Sequence, residues 1–204
     1  MSDSGKRGLR APLGPRIWHL CVDMQKLFGP GAPWATPWLE KVRPVVFGLC
    51  QAHPERTIFT RFIPPYRPDA APGTWRDFYA HWSDVTRDHL APEFLELLPE
   101  LARLAPPAVV LDKPAYSPFF ETDLDDQLRR RQVDGLIFTG TETDVCVLAG
   151  VLDAVDRGYR VIIVGDGVCS SSDATHDALM SLYHRRFRHQ IEVADAAEVM
   201  AAWA

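Results

Sequence analysis

Apolar residues along this chain fall into short strand-like runs separated by longer stretches with helical spacing. Ile17-Trp18-His19-Leu20-Cys21-Val22 opens the series and predicts a strand that ends at Asp23. Thr36-Pro37 then offers an N-cap and a proline at the first helical position, and Trp38, Val42, Val45, Val46 and Leu49 recur at helical intervals up to His53-Pro54. Thr57-Ile58-Phe59-Thr60 reads as a second short strand. The Pro-rich passage from Phe62 to Thr74 disfavours regular structure, because proline fixes φ and lacks an N–H donor. Trp75, Phe78, Tyr79 and Trp82 gather on one side of a short helix, and Val109 to Leu111, beyond Pro106-Pro107, forms a third strand. A regular alternation follows: helix Asp123 to Arg131, strand Leu136 to Thr139, helix Asp144 to Arg157, strand Arg160 to Val164, helix Asp173 to about Phe187, strand Ile191 to Val193, and a terminal helix. Gly165-Asp166-Gly167 lacks dinucleotide or P-loop spacing and is assigned to a strand-end turn.

This alternation predicts an α/β, doubly wound fold with a central parallel sheet of about six strands and helices on both faces. At 204 residues and 47% apolar content, residues 16–204 suffice for one domain with a sizeable core. Residues 1–15 carry Lys6, Arg7 and Arg10 without the apolar centre of a signal peptide and are expected to form a flexible arm. The net charge of -5 disfavours general nucleic-acid binding, and Arg185-Arg186-Phe187-Arg188 reads as a solvated helix end. No stretch is long enough to span a bilayer. Cys21, Cys50, Cys146 and Cys169 form no CxxC pair, which suits a reduced, cytoplasmic setting. A small molecule is the partner that these bounds favour.

Ligand sites in such sheets lie beyond the carboxyl ends of the strands, and three strand ends here deliver reactive side chains. Cys146 follows one apolar run and opens a helix, where backbone N–H groups stabilise a sulfur anion and lower a thiol pKa from about 8.5. The same placement suits an inert core thiol. Asp23 ends the first strand, where aspartate also serves as a turn or helix cap. Lys113 follows Ala108 to Asp112, a position in which a lysine is otherwise a solvated loop charge.

Val22-Asp23-Met24-Gln25, Lys113-Pro114-Ala115-Tyr116-Ser117-Pro118-Phe119 and Gly140-Thr141-Glu142-Thr143-Asp144-Val145-Cys146-Val147, in this order, resemble the motifs of the isochorismatase-like cysteine hydrolases. That superfamily includes nicotinamidases, N-carbamoylsarcosine amidases, ureidoacrylate amidases and biuret hydrolases. The resemblance covers nearly the whole chain and implies the isochorismatase-like, Rossmann-like hydrolase fold. It also implies an Asp23–Lys113–Cys146 catalytic triad, a cis peptide at Thr141-Glu142, an oxyanion hole from the N–H groups of Glu142 and Cys146, and a homo-oligomer. The terminal helix, with Val199, Met200 and Trp203, is a candidate interface.

The resulting expectation is hydrolysis of a small amide, ureide or lactam C–N bond through a thioester on Cys146. Isochorismatase-type vinyl-ether hydrolysis, and a non-catalytic binding or redox-sensing role, are the alternatives. Metal-holding relatives carry an Asp-x-His near the second strand, whereas this chain has Thr60-Arg61-Phe62-Ile63; no metal and no cofactor are expected. The histidines lack metal-ligand spacing, and most are read as surface or capping residues, with His176 as a helix-packing residue. Phe28, Trp75, Tyr79, Trp82, Tyr116 and Phe119 are candidates for an apolar substrate pocket, with Gln25 and Arg61 orienting the substrate. Ser170-Ser171-Ser172 stands where some carbamoyl- and ureido-acid hydrolases carry an arginine, which favours a neutral or aromatic substrate.

Overall fold

A computed structural model describes residues 8–203. Six parallel strands, β1 Ile17–Val22, β2 Thr57–Phe62, β3 Val109–Lys113, β4 Gly135–Thr141, β5 Arg160–Cys169 and β6 Ile191–Ala194, form one sheet in the order β3-β2-β1-β4-β5-β6. The strand order reverses between β1 and β4, the place where doubly wound sheets open a crevice for ligands. β1 lies at the centre and is buried along its whole length, as expected for a parallel strand covered on both faces.

Among the described residues the α-helices are α1 Leu39–Ala52, α2 Thr74–His81, α3 Pro99–Ala102, α4 Leu124–Arg130, α5 Leu148–Asp156, α6 Asp173–Arg185 and α7 Ala196–Ala202. Side chains alternate across the strands, so Leu20, Leu136, Phe138, Val161 and Ile163 pack with Leu124, Leu128, Val151 and Tyr183 of α4, α5 and α6. On the opposite face Ile137, Ile162 and Val164 meet Leu49 of α1 and Val199 of α7. Cys21 and Phe59 join Leu39, Val42 and Val46 of α1 and the loops before β3.

Several local readings are corrected. Thr36 does not cap α1: its hydroxyl lies 3.5 Å from the Thr141 hydroxyl, and the helix begins at Leu39. Gly165-Asp166-Gly167 lies within β5 as an irregularity. Phe138 of β4 pairs with Ile163, but Gly140 pairs with Val168, so the extra residues bulge out between them. Asp166 there accepts the Ala196 N–H at the start of α7 (2.8 Å). His19 is a core residue. Burial lowers its pKa to about 3, and the neutral ring contacts the Thr139 hydroxyl at 2.7 Å and the Cys50 sulfur at 3.6 Å.

The expected N-terminal arm lies partly outside the described residues. Residues 8–15 are anchored: Leu13 is buried and bridges to Trp203, the Arg10 guanidinium donates to the carbonyls of Arg188, His189 and Ile191, and Arg160 donates to the carbonyls of Ala11 and Pro12. Val199 and Trp203 are likewise used inside the chain. Trp203 packs on His53 and donates to the Ile17 carbonyl, so of the three candidate interface residues only Met200 is exposed.

Gly140 is the point where the sheet centre admits no side chain. Its φ is 106°, and a Cβ would lie 2.0 Å from the Val22 carbonyl oxygen. Gly140→Ala is therefore expected to lower stability by at least about 3 kcal/mol, because rigid backbone blocks the new atom. Urea unfolding measures it, and a loss under about 1 kcal/mol would contradict this packing.

Candidate active site

β1 ends at Asp23, whose φ of 51° lies in the left-handed region that aspartate tolerates better than most residues. The turn holds the carboxylate beside β2. There Thr60 donates its hydroxyl to Asp23 Oδ1 (2.6 Å) and accepts the Asp23 N–H (3.1 Å). This reciprocal pair fixes the carboxylate, and Thr60 is a positioning residue that the sequence reading passed over.

Lys113, the last residue of β3, reaches across β2 to the same carboxylate. Its Nζ lies 2.8 Å from Asp23 Oδ2, 3.0 Å from the Ala115 carbonyl and 4.9 Å from the centre of the Phe62 ring. Both charged groups are almost completely buried. Burial alone would lower the lysine pKa, but the Asp23 carboxylate and Cys146 outweigh it and hold the ammonium above its ordinary value. Asp23 Oδ2 has this ammonium at ion-pair distance but no aligned hydrogen bond, so it retains accepting capacity.

Cys146 arrives from β4 through a cis peptide at Thr141-Glu142 and a single π-helical turn, Thr143–Val147, before α5. The turn is closed by Val145 and Val147 N–H groups donating to the Glu142 carbonyl (3.1 and 3.0 Å). The backbone N–H group of Glu142 has no protein acceptor among the described residues. The thiol differs from the expectation of a lowered pKa. Burial pushes it well above its ordinary value; Lys113 opposes this, but nearby Asp23 raises it further. The physical reason is desolvation, which disfavours the sulfur anion more than the Lys113 ammonium, itself paired with a carboxylate at 2.8 Å, favours it. The raised pKa favours the protonated thiol, whose attack calls for a base.

Cys146 opens onto a cavity of ≈ 370 Å³ walled by Phe28, Trp34, Phe62, Phe78, Trp82 and Tyr116. Trp34 stands among four other rings, with centroids 6.1 Å from Phe28, 5.9 Å from Phe62, 6.0 Å from Phe78 and 6.1 Å from Trp82. Phe28, Trp82 and Tyr116 were candidates from sequence. Phe78 was grouped with Trp82 by helical spacing, whereas Trp34 and Phe62 were missed as pocket residues because their rings converge from an irregular Pro-rich loop and β2, which no local periodicity brings together.

Other candidates are placed elsewhere. Gln25 is spent on the backbone: Oε1 accepts the Phe62 N–H (2.8 Å), while Nε2 donates to the Leu95 and Phe62 carbonyls (2.9 and 3.2 Å). Arg61 forms a two-pronged pair with Asp112 (2.7 and 2.9 Å) between β2 and β3, outside the cavity. Phe119 stacks on Tyr159 at 6.2 Å, in the core on the α4–α5 side of the sheet. Trp75 and Tyr79 stand behind Tyr116 and line a neighbouring cavity with Lys113. His176 contacts the Thr143 hydroxyl at 2.9 Å, which ties α6 to the π turn.

The segment where metal-holding relatives carry ligands does not fit a metal. Thr60 is committed to Asp23, Arg61 to Asp112, and the Phe62 ring lines the cavity. Among the described residues, no three His, Cys, Asp or Glu side chains are grouped to hold an ion. No helix among these residues is long and apolar enough to cross a membrane.

Residues 18–195 match the Isochorismatase domain family. A cysteine hydrolase from Pseudomonas syringae pv. phaseolicola 1448A is 30% identical, with a TM-score of 0.80 over 98% of each chain. N-carbamoylsarcosine amidase from Thermoplasma acidophilum shares the fold at 22% identity, with a TM-score of 0.72 over 88% of this chain and 96% of that one. The ureidoacrylate amidohydrolase RutB of Methylobacterium radiotolerans is 36% identical over 111 residues, which are 54% of this chain and 36% of that protein. The match thus spans about a third of that relative.

Proposed function

Because the chain belongs to the isochorismatase family, we propose that it is a cysteine-dependent amidohydrolase that cleaves a small non-peptide C–N bond through a thioester on Cys146. The observation that carries the proposal is the buried Lys113–Asp23 pair at 2.8 Å, which couples electrostatically to the Cys146 thiol at the wall of an aromatic cavity. A buried ion pair in place of apolar packing is costly, and beside a thiol it has a chemical use.

In this mechanism Asp23 accepts the Cys146 proton as sulfur attacks the amide carbonyl carbon. Lys113 keeps its charge throughout and offsets negative charge on whichever partner carries it. The oxyanion is received by the N–H groups of Glu142 and Cys146, for which losing one donor typically costs about 3 kcal/mol of transition-state stabilisation. Collapse breaks the C–N bond, and the proton on Asp23 passes to the leaving nitrogen. Asp23 then takes a proton from water as its oxygen attacks the thioester, and the thiol is restored as the acid departs. No step uses a metal, because this chain's residues at the corresponding segment do not supply ligands.

A panel of primary amides, ureides, lactams and vinyl ethers, with products identified by mass, tests the reaction class. Equimolar acid and ammonia or amine are expected, at a rate unchanged by a chelator. Cleavage confined to vinyl ethers would overturn the proposal. Activity lost to chelation and restored by zinc or iron would overturn the metal-free mechanism.

A further inference from the structure

The cavity's charge is as informative as its shape. Among the described residues that line it, Glu142 is the one of a charged type; Lys, Arg and His are absent from the lining. The backbone N–H of Ser171, another lining residue, donates to Glu142 Oε1 at 2.8 Å and orients the carboxylate. The Tyr116 hydroxyl on the same wall is raised from its ordinary pKa mainly by burial, then by Cys146 and Glu142, with Lys113 opposing.

The site's own cation lies outside the wall and is already paired. Lys113 is paired with Asp23 at 2.8 Å, and Arg61 is paired with Asp112 on the sheet edge. What faces a bound acyl group is therefore one carboxylate and the rings around Trp34. Aromatic faces carry negative quadrupole potential and attract onium groups, more strongly when water is excluded. A carboxylate in the same space would meet Glu142 with no counter-cation, and its desolvation would go unrepaid.

We propose that the substrate is a small amide whose acyl portion bears a positive charge, held between the aromatic wall and Glu142, and that the cavity rejects acyl groups bearing a carboxylate. This rests on the amidohydrolase reading, which assigns the cavity to the acyl portion; the charge preference itself follows from the wall.

Three primary amides of similar reach separate the cases: 3-(trimethylammonio)propanamide, its uncharged tert-butyl isostere 4,4-dimethylpentanamide, and succinamate. Binding to Cys146→Ala, read by calorimetry, should favour the cation over the isostere by about 5- to 30-fold, and succinamate should be weakest. In kcat/KM on the wild type the order should be the same. Glu142→Gln keeps the oxygen that accepts the Ser171 N–H but removes the charge. It should cut the cation-to-isostere ratio several-fold and improve succinamate relative to the isostere. Trp82→Leu should lower the cation preference without improving succinamate, separating the ring's part from that of the carboxylate.

Equal or weaker binding of the cation than of the isostere, or succinamate binding as well as either, would overturn the inference. If no amide is hydrolysed but the cation still binds with this charge dependence, the amidohydrolase reading fails and the charge selectivity stands.

Discussion

Replacing Cys146 by alanine should lower amide turnover by roughly 10⁴-fold or more, the scale on which loss of a covalent nucleophile is felt when the rest of a site remains. The fold should survive. Cys146 is a buried thiol within the π turn, and that turn is closed by bonds between Glu142 and its valines, which the substitution leaves in place. Truncation to alanine removes one buried atom, so the unfolding free energy should change by no more than about 1 kcal/mol. Initial rates and urea unfolding of the same preparation check both statements. Turnover within about tenfold of the wild type would remove the covalent route and favour acid-assisted vinyl-ether cleavage.

Lys113→Met has the second large effect, and it appears in stability as well as rate. Removing one partner of a buried pair leaves Asp23 without its ammonium, a situation that typically costs about 3 to 5 kcal/mol. Asp23→Asn together with Lys113→Met removes both charges and should recover much of that loss, whereas additive losses would show that the 2.8 Å pair is not coupled. The pH sign follows from the lysine. Its folded pKa lies above the ordinary value of 10.5, so protonation contributes stability that is fully present below that value. The contribution fades as pH rises through the folded pKa. Wild-type stability should thus fall more steeply above the ordinary lysine range than that of the double variant. Matching alkaline profiles would contradict the assignment.

Much of this site was legible because its chemistry sits at strand ends, where the apolar run stops and a reactive residue follows. Ile17 to Val22 and Val109 to Asp112 marked the positions of Asp23 and Lys113 without any tertiary information. What the reading missed depends on contacts distant in sequence. Thr60 sits 37 residues from Asp23, yet it donates to that carboxylate. Gln25 has the side chain of a substrate-binding residue, but both ends are taken by the backbone of Phe62 and Leu95. The aromatics failed similarly: composition located a cluster near α2, but only three-dimensional packing puts Phe78 and Trp82 on the Cys146 side and Trp75 and Tyr79 behind Tyr116. The thiol was misjudged because the helix-start argument weighed the backbone N–H groups and not the depth of burial. Burial reverses that conclusion and gives proton transfer a larger part.

The most direct measurement is the mass of the peptide carrying Cys146 after wild-type enzyme is mixed with a turned-over amide and quenched in acid within one catalytic cycle. The account predicts that this peptide gains the mass of the acyl group, and that the adduct disappears in step with release of the acid. Steady hydrolysis with no acyl mass on Cys146 at any quench time, together with undiminished turnover by Cys146→Ala, would contradict it.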